Sequence, residues 1–196
     1  MYGSVRRIDL GPCDGLLHER DGGRCVVVLP GMRYSTQAPL LWFAREVAGR
    51  QGFSVLEVLD ALPDGADGVE WAQDRASRAL EAAPDGDVVV VGKSLASTAA
   101  GLVAERDLAA VWLTPLLDRP VVTEGLARVT RPVLLVGGTA DATWAPEALP
   151  ASPLLETLEL DGLDHSLQRP GDLDASFAAL RTVTGRISRF LHAAAG

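Results

Sequence analysis

Short apolar runs rich in valine and leucine recur along this chain, and longer segments with helical periodicity lie between them. "CVVVLPG" (Cys25 to Gly31) predicts a strand ending in a Pro-Gly turn. "APLLWFAREVAGRQG" follows, with Leu40, Leu41, Ala44 and Val47 on one helical face and Gly52 as a stop. "FSVLEVLD" predicts the next strand, "VEWAQDRASRALEAA" an amphipathic helix ended by Pro84, and "DVVVVG" a further strand. After a helix from about Leu95 ("LASTAAGLVAER") the pattern gives "LAAVWLTP" as strand, "VVTEGLARV" as short helix, and "PVLLVGG" and "LLETLELDG" as strands. "DLDASFAALRTVTGRISRFLHAA" closes the chain as a helix, with Gly185 as an expected point of interruption.

Strands separated by whole helices pair in parallel through long crossovers, and those helices then cover the sheet. The expected fold is therefore α/β: a mostly parallel sheet with helices on both faces. The opening "SVRRIDL" and "GLLHER" add one or two antiparallel edge strands. A length of 196 residues suits one domain over residues 1–196, and 47% hydrophobic with 22% charged residues is ordinary globular composition.

The net charge of −8, with no run of cations, argues against nucleic acid as a partner. No apolar leader and no stretch approaching ~18 apolar residues is found, so the expectation is a soluble, cytoplasmic protein without membrane attachment. Cys13 and Cys25 lie outside any C-x-x-C spacing, and with three histidines no zinc cluster is expected. Free thiols in a reducing compartment are favoured over a disulfide between them.

"VVVVGKSLAS" (Val88 to Ser97) admits two chemistries, phosphate binding through Lys93 or nucleophilic attack by Ser94. A phosphate loop requires a glycine five positions before Gly92, where this chain has Asp87, and the intervening valines favour a strand over a loop. What remains is strand, sharp turn with Ser94 at its tip, then helix, the layout of a nucleophile elbow. The pentapeptide alone leaves Ser94 as either a nucleophile or a helix cap. Lys93 is the only lysine in the chain, which reads as a base-composition effect and calls for no special role.

In open parallel sheets the reactive groups gather beyond the carboxyl ends of the strands. Past "PVLLVGG" lies Thr139-Ala140-Asp141-Ala142-Thr143-Trp144, and past "LLETLELDG" lies Leu163-Asp164-His165. Ser94, Asp141 and His165 thus follow three different strands in that order. A serine hydroxyl needs an imidazole to take its proton, and a carboxylate to fix the tautomer and stabilise the cation. Asp164 is the rival acid, but adjacent loop residues point in different directions, which favours Asp141. The developing oxyanion needs two amide donors, expected from Leu95 and from Met32 in the loop turned by Gly31. Tyr34 and Trp144 are candidate substrate contacts. His18 is expected to be solvated in an edge strand, and His192 to lie on the surface or in packing.

With these residues in place, "GKSLAS" and "GLDHSL" resemble a small, lidless member of the α/β-hydrolase superfamily, in the dienelactone-hydrolase-like branch that includes the KANL3/Tex30-type proteins. The resemblance spans nearly the whole chain. It implies Ser94 as nucleophile, Asp141 as acid, His165 as base, and Met32 with Leu95 as oxyanion donors. It departs from the family pattern at Pro30-Gly31, where His-Gly is common, and at Ala96, where glycine usually closes the elbow. "TPLLDRPVVTEGLARV" has no room for a lid, so an open pocket is expected, suited to small esters, lactones, thioesters or carrier-bound acyl groups. The reaction implied is cleavage of a carboxylic ester or thioester through an acyl-enzyme, without metal or organic cofactor. A non-catalytic interaction module and a biosynthetic acyl transferase or cyclase are the alternatives, and an exposed face of the last helix leaves room for a homodimer.

Overall fold

The computed structural model describes residues 3–194. In chain order the elements are β1 (Val5–Asp9), β2 (Asp14–His18), β3 (Arg24–Leu29), α1 (Pro39–Arg50), β4 (Ser54–Leu59), α2 (Gly68–Ala82), β5 (Asp87–Lys93), α3 (Ala100–Glu105), β6 (Ala109–Leu113), α4 (Pro120–Leu126), β7 (Val133–Gly138), β8 (Leu155–Leu160) and α5 (Leu173–Ala194). Among the described residues eight strands form one sheet in the order β1-β2-β4-β3-β5-β6-β7-β8. From β4 to β8 neighbouring strands are parallel, while β1 and β2 join antiparallel at one side. The expected α/β architecture is the one observed.

The valine runs sit at the centre because parallel strands covered on both faces must be apolar on both. Val26, Val28, Val55, Val89, Val91, Leu134 and Val136 pack toward one side, against Leu41 and Ala44 of α1 and Val183 and Ile187 of α5. Val27, Leu56, Val90, Trp112 and Leu135 pack toward the other, against Trp71 and Ala76 of α2, Val103 of α3 and Val122 of α4. Helix α2 starts cleanly because the Asp67 carboxylate accepts from the amides of Val69 and Glu70 at 2.8 and 3.0 Å.

Three local expectations are corrected. Strand β2 is interior, lying between β1 and β4. The segment after β5 begins as a 3₁₀ helix, Ser94–Ala99, and becomes α-helical only at Ala100. Its six residues are all buried, and the Thr98 hydroxyl donates to the Leu95 carbonyl at 2.8 Å, taking an acceptor the α pattern would use. Helix α5 runs unbroken through Gly185, since the buried stripe Ala179, Val183, Ile187, Leu191 outweighs the ~1 kcal/mol helix cost of one glycine. Among the described residues no helix is long and apolar enough to cross a membrane, and no group of three or more His, Cys, Asp or Glu is placed to hold a metal ion.

Candidate active site

The carboxyl ends of β3, β5, β7 and β8 come together because parallel pairing aligns Leu29 with Gly92 and Gly138 with Leu160. Strand β5 ends at Lys93, and the chain then reverses at Ser94, whose φ of 53° lies in the left-handed region. Holding a serine there costs on the order of 1–3 kcal/mol and sets its side chain at the tip of the turn. Gly92 makes the turn possible: a Cβ would stand 2.6 Å from Trp112 Cζ3 and 2.9 Å from the Ala96 Cβ. The same closeness explains why alanine suffices at position 96 and a bulkier side chain would not.

His165, in the loop after β8, brings Nε2 to 2.7 Å from Ser94 Oγ. Its Nδ1 lies 2.7 Å from Asp141 Oδ2, in the loop after β7. A carboxylate at Nδ1 keeps the proton on that nitrogen and leaves Nε2 to accept from the serine hydroxyl. Asp141 Oδ1 accepts from both the amide and the hydroxyl of Thr143 at 2.9 Å, and the same hydroxyl is 3.3 Å from His165 Nδ1. Burial pushes the Asp141 carboxyl up, but the hydrogen bonds from His165 and Thr143 outweigh it and hold the group below its ordinary value. The Asp141 side chain is 1% exposed, whereas His165 is 39% exposed and faces the site opening. Asp164, the rival acid, accepts from the amides of Ser166 and Gln168 at 2.8 and 3.0 Å, and so shapes the histidine loop.

The turn after β3 closes by reciprocal bonds, Gly31 N to Tyr34 O at 2.9 Å and Tyr34 N to Gly31 O at 3.2 Å. These use the amides of Gly31 and Tyr34 and leave that of Met32 out of the pair. The turn presses on the elbow: a Cβ on Gly31 would lie 2.9 Å from the Lys93 carbonyl oxygen and 3.4 Å from the Ser94 Cβ. Met32 and Leu95 both line the cavity that contains Ser94.

That cavity has a volume of about 710 Å³. Met32, Leu62, Val69, Leu95 and Leu116 form its apolar lining, with Ser94, Asp141, Thr143 and His165 at one end and Arg119 also on the wall. Tyr34 and Trp144, the two expected substrate contacts, are not among the lining residues. The Trp144 ring covers Gly137, where a Cβ would come within 2.0 Å of it, and its indole N–H donates to Glu159 at 2.7 Å. The Tyr34 hydroxyl accepts from the Leu40 amide at 3.0 Å, which seats the ring behind the turn at the start of α1.

Lys93 is 2% exposed and lies behind the elbow. His18 departs from the solvated position expected for it. His18 is held by β2 with its side chain 23% exposed and Nε2 2.8 Å from Oε1 of the fully buried Glu57. His192, expected on the surface or in packing, is exposed. Thr143 is a site residue outside the sequence expectations; its amide lies where an Asx-type turn at Asp141 draws the backbone two residues on, and its hydroxyl adds a second donor.

No protein-family model matches the chain, and no curated protein matches it in sequence. Solved structures match over nearly its full length. A dienelactone hydrolase from Anabaena variabilis is 22% identical, covering 98% of this chain and 97% of its own, with a TM-score of 0.73. A lidless α/β serine hydrolase from Xanthomonas campestris is 15% identical over 95% and 92% of the two chains, TM-score 0.70. Est1E from Butyrivibrio proteoclasticus, solved with ferulic acid bound, is 14% identical over 95% and 97%, TM-score 0.70. The fold is that of the α/β hydrolases, without a lid.

Proposed function

We propose that this protein is a serine hydrolase that cleaves a carboxylic ester, lactone or thioester through an acyl-enzyme. The observation that carries the reading is the unbroken relay from buried Asp141 through His165 to Ser94, each link 2.7 Å, opening on an apolar cavity. Ser94 Oγ attacks the acyl carbon as His165 Nε2 takes its proton; the imidazolium then protonates the leaving alkoxide or thiolate. Water enters, gives its proton to Nε2 and attacks the acyl-enzyme, releasing the acid and restoring Ser94. Asp141 stabilises the imidazolium in both halves. The amides of Leu95 and Met32 are the donors assigned to the oxyanion, and the tight seating of Gly31 against the elbow supports that assignment.

Leu62, Val69 and Leu116 favour an apolar acyl group or lactone ring, and the absence of a lid favours substrates presented from solvent or on a carrier. Ferulic acid bound to a structural neighbour supports a small-molecule ester as the substrate class. The test is labelling with a fluorophosphonate, read by intact mass, followed by turnover of p-nitrophenyl acetate. One adduct on the wild type, absent from Ser94→Ala and strongly slowed in His165→Ala, is expected. A folded wild type that takes no adduct would overturn the reading and leave an interaction module. Product analysis with an added alcohol or thiol acceptor separates hydrolysis from acyl transfer.

A further inference from the structure

Lys93 has no task in the reaction proposed above, yet it occupies the position directly before Ser94 and is almost fully buried. Its Nζ donates to the backbone carbonyl of His165 at 2.9 Å and to Thr114 Oγ1 at 2.9 Å, and stands 4.6 Å from the centre of the Tyr34 ring. These partners belong to three different strand ends. Tyr34 closes the turn after β3, Thr114 follows β6 with a φ of 45°, and His165 sits in the loop after β8. No carboxylate of the described residues forms an ion pair with Lys93. A buried cation without a paired anion carries a desolvation cost that an apolar residue of similar size would avoid, so space filling does not account for it.

We propose that Lys93 is a positioning residue: its ammonium clamps the His165 carbonyl, the Thr114 hydroxyl and the face of Tyr34, and so holds base and oxyanion turn in register with the nucleophile. The inference rests on the hydrolase reading above for its kinetic consequences. The titratable groups facing Lys93 are Tyr34 from the loop after β3, Asp141 from the loop after β7, and Asp164 and His165 from the loop after β8. Burial pulls Lys93 down to about 8, with Asp141 and Asp164 opposing. Above that pH the clamp keeps two weaker N–H donors and loses its attraction for the ring. Turnover should therefore decline as pH rises through about 8. The folded protein holds this proton less tightly than the unfolded chain, so the lysine's contribution to stability rises as pH passes from about 8 to its ordinary value. At neutral pH its replacement by an apolar residue is accordingly not expected to lower the unfolding temperature.

The test compares wild type with Lys93→Met, and with Thr114→Val as a second variant in which the lysine remains. In Lys93→Met, kcat for p-nitrophenyl acetate is expected to fall about 10- to 100-fold with KM within about twofold, since misregister acts on the reacting geometry. The alkaline limb near pH 8 disappears with it, and the low-field proton resonance of the His165 Nδ1–H broadens or is lost at an unchanged unfolding temperature. Thr114→Val is expected to move the alkaline limb to lower pH. A Lys93→Met protein with wild-type kcat, pH profile and low-field resonance overturns the proposal. Should Lys93→Met not fold, an unaltered pH profile in Thr114→Val overturns it. If the wild type itself takes no phosphonate, the hydrolase reading falls, and the resonance alone decides: retained in Lys93→Met it overturns the clamp, lost it supports it.

Discussion

Among the described residues two buried carboxylates each hold a partly exposed histidine, and the two pairs differ in what surrounds them. His165 meets Asp141 through Nδ1 at 2.7 Å, and His18 meets Glu57 through Nε2 at 2.8 Å. Around Glu57 the partners saturate the carboxylate: Gln37 Nε2 donates at 2.9 Å, Arg45 Nη1 at 3.0 Å, and the Thr36 side chain also bonds to it. Among the described residues Asp141 is bonded through the histidine and Thr143, and the far nitrogen of that histidine reaches a strained serine at an open cavity. A fully satisfied pair with its own cation ties elements together, here β2, β4, α1 and the loop before α1. A pair with one nitrogen left for a nucleophile can move a proton.

The contrast breaks first at Ser94. Ser94→Ala should lower turnover of p-nitrophenyl acetate by about 10⁴-fold or more while leaving the circular-dichroism spectrum and unfolding temperature near those of the wild type, because it removes the hydroxyl and keeps the Cβ and the backbone of the turn. A residual rate within tenfold would place the chemistry elsewhere. Asp141→Asn comes next, with an expected loss of about 10²- to 10⁴-fold in kcat, since an amide at that position favours the wrong imidazole tautomer. Steady-state kinetics on the folded variant reads it directly.

Glu57→Gln should show the opposite profile, a stability loss with kcat of the folded fraction little changed. Removing the charge leaves Arg45, whose side chain is 13% exposed, with Glu46 at 3.3 Å as its anion, a change that costs about 1.5–3 kcal/mol in weakened charged hydrogen bonds. Burial pushes the Glu57 carboxyl up, but the bonds from His18, Arg45 and Thr36 outweigh it and hold the group below its ordinary value. A carboxylate depressed by folding contributes stability that is full above its unfolded pKa and is lost as pH falls through the folded one. The gap in unfolding temperature between wild type and Glu57→Gln should therefore be widest near neutrality and narrow below about pH 4. A gap that stays constant down to pH 3 would mean the carboxylate charge is not what the network stabilises.

The two clusters were unequally legible in the sequence. The triad-like arrangement of Ser94, His165 and Asp141 could be read because its members announce themselves locally: each follows a run of apolar residues that fixes a strand, and a parallel sheet brings strand ends together whatever the side chains do. The Glu57 network could not, because it depends on a pairing 39 residues apart between His18 and Glu57 and on β2 lying inside the sheet. "GLLHER" carries nothing that separates an edge strand from an interior one. Lys93 was passed over for a related reason: as the single lysine of an arginine-rich chain it reads as a base-composition effect, and only the convergence of three loops on its ammonium marks it out. Tyr34 and Trp144 were placed at the substrate by nearness in sequence, whereas Gly137 leaves a recess that the Trp144 ring fills.

The smallest expected effect on turnover is that of His18, and it stands out against His165. His165→Ala should remove nearly all turnover and lower stability by about 1–2 kcal/mol, because buried Asp141 loses one charge-assisted hydrogen bond and keeps those from Thr143. His18→Ala should leave kcat within about twofold and lower stability by about 1–2 kcal/mol, the cost of one charge-assisted hydrogen bond to a buried carboxylate that keeps its other donors. The two variants, compared by thermal unfolding and by p-nitrophenyl acetate kinetics, thus share a modest loss of stability and part on turnover. If His18→Ala instead lowered kcat tenfold or more at full stability, the network around Glu57 would be acting on the oxyanion turn through Thr36 and Gln37, two to three residues beyond Tyr34, and the division between a structural and a catalytic pair would have to be redrawn.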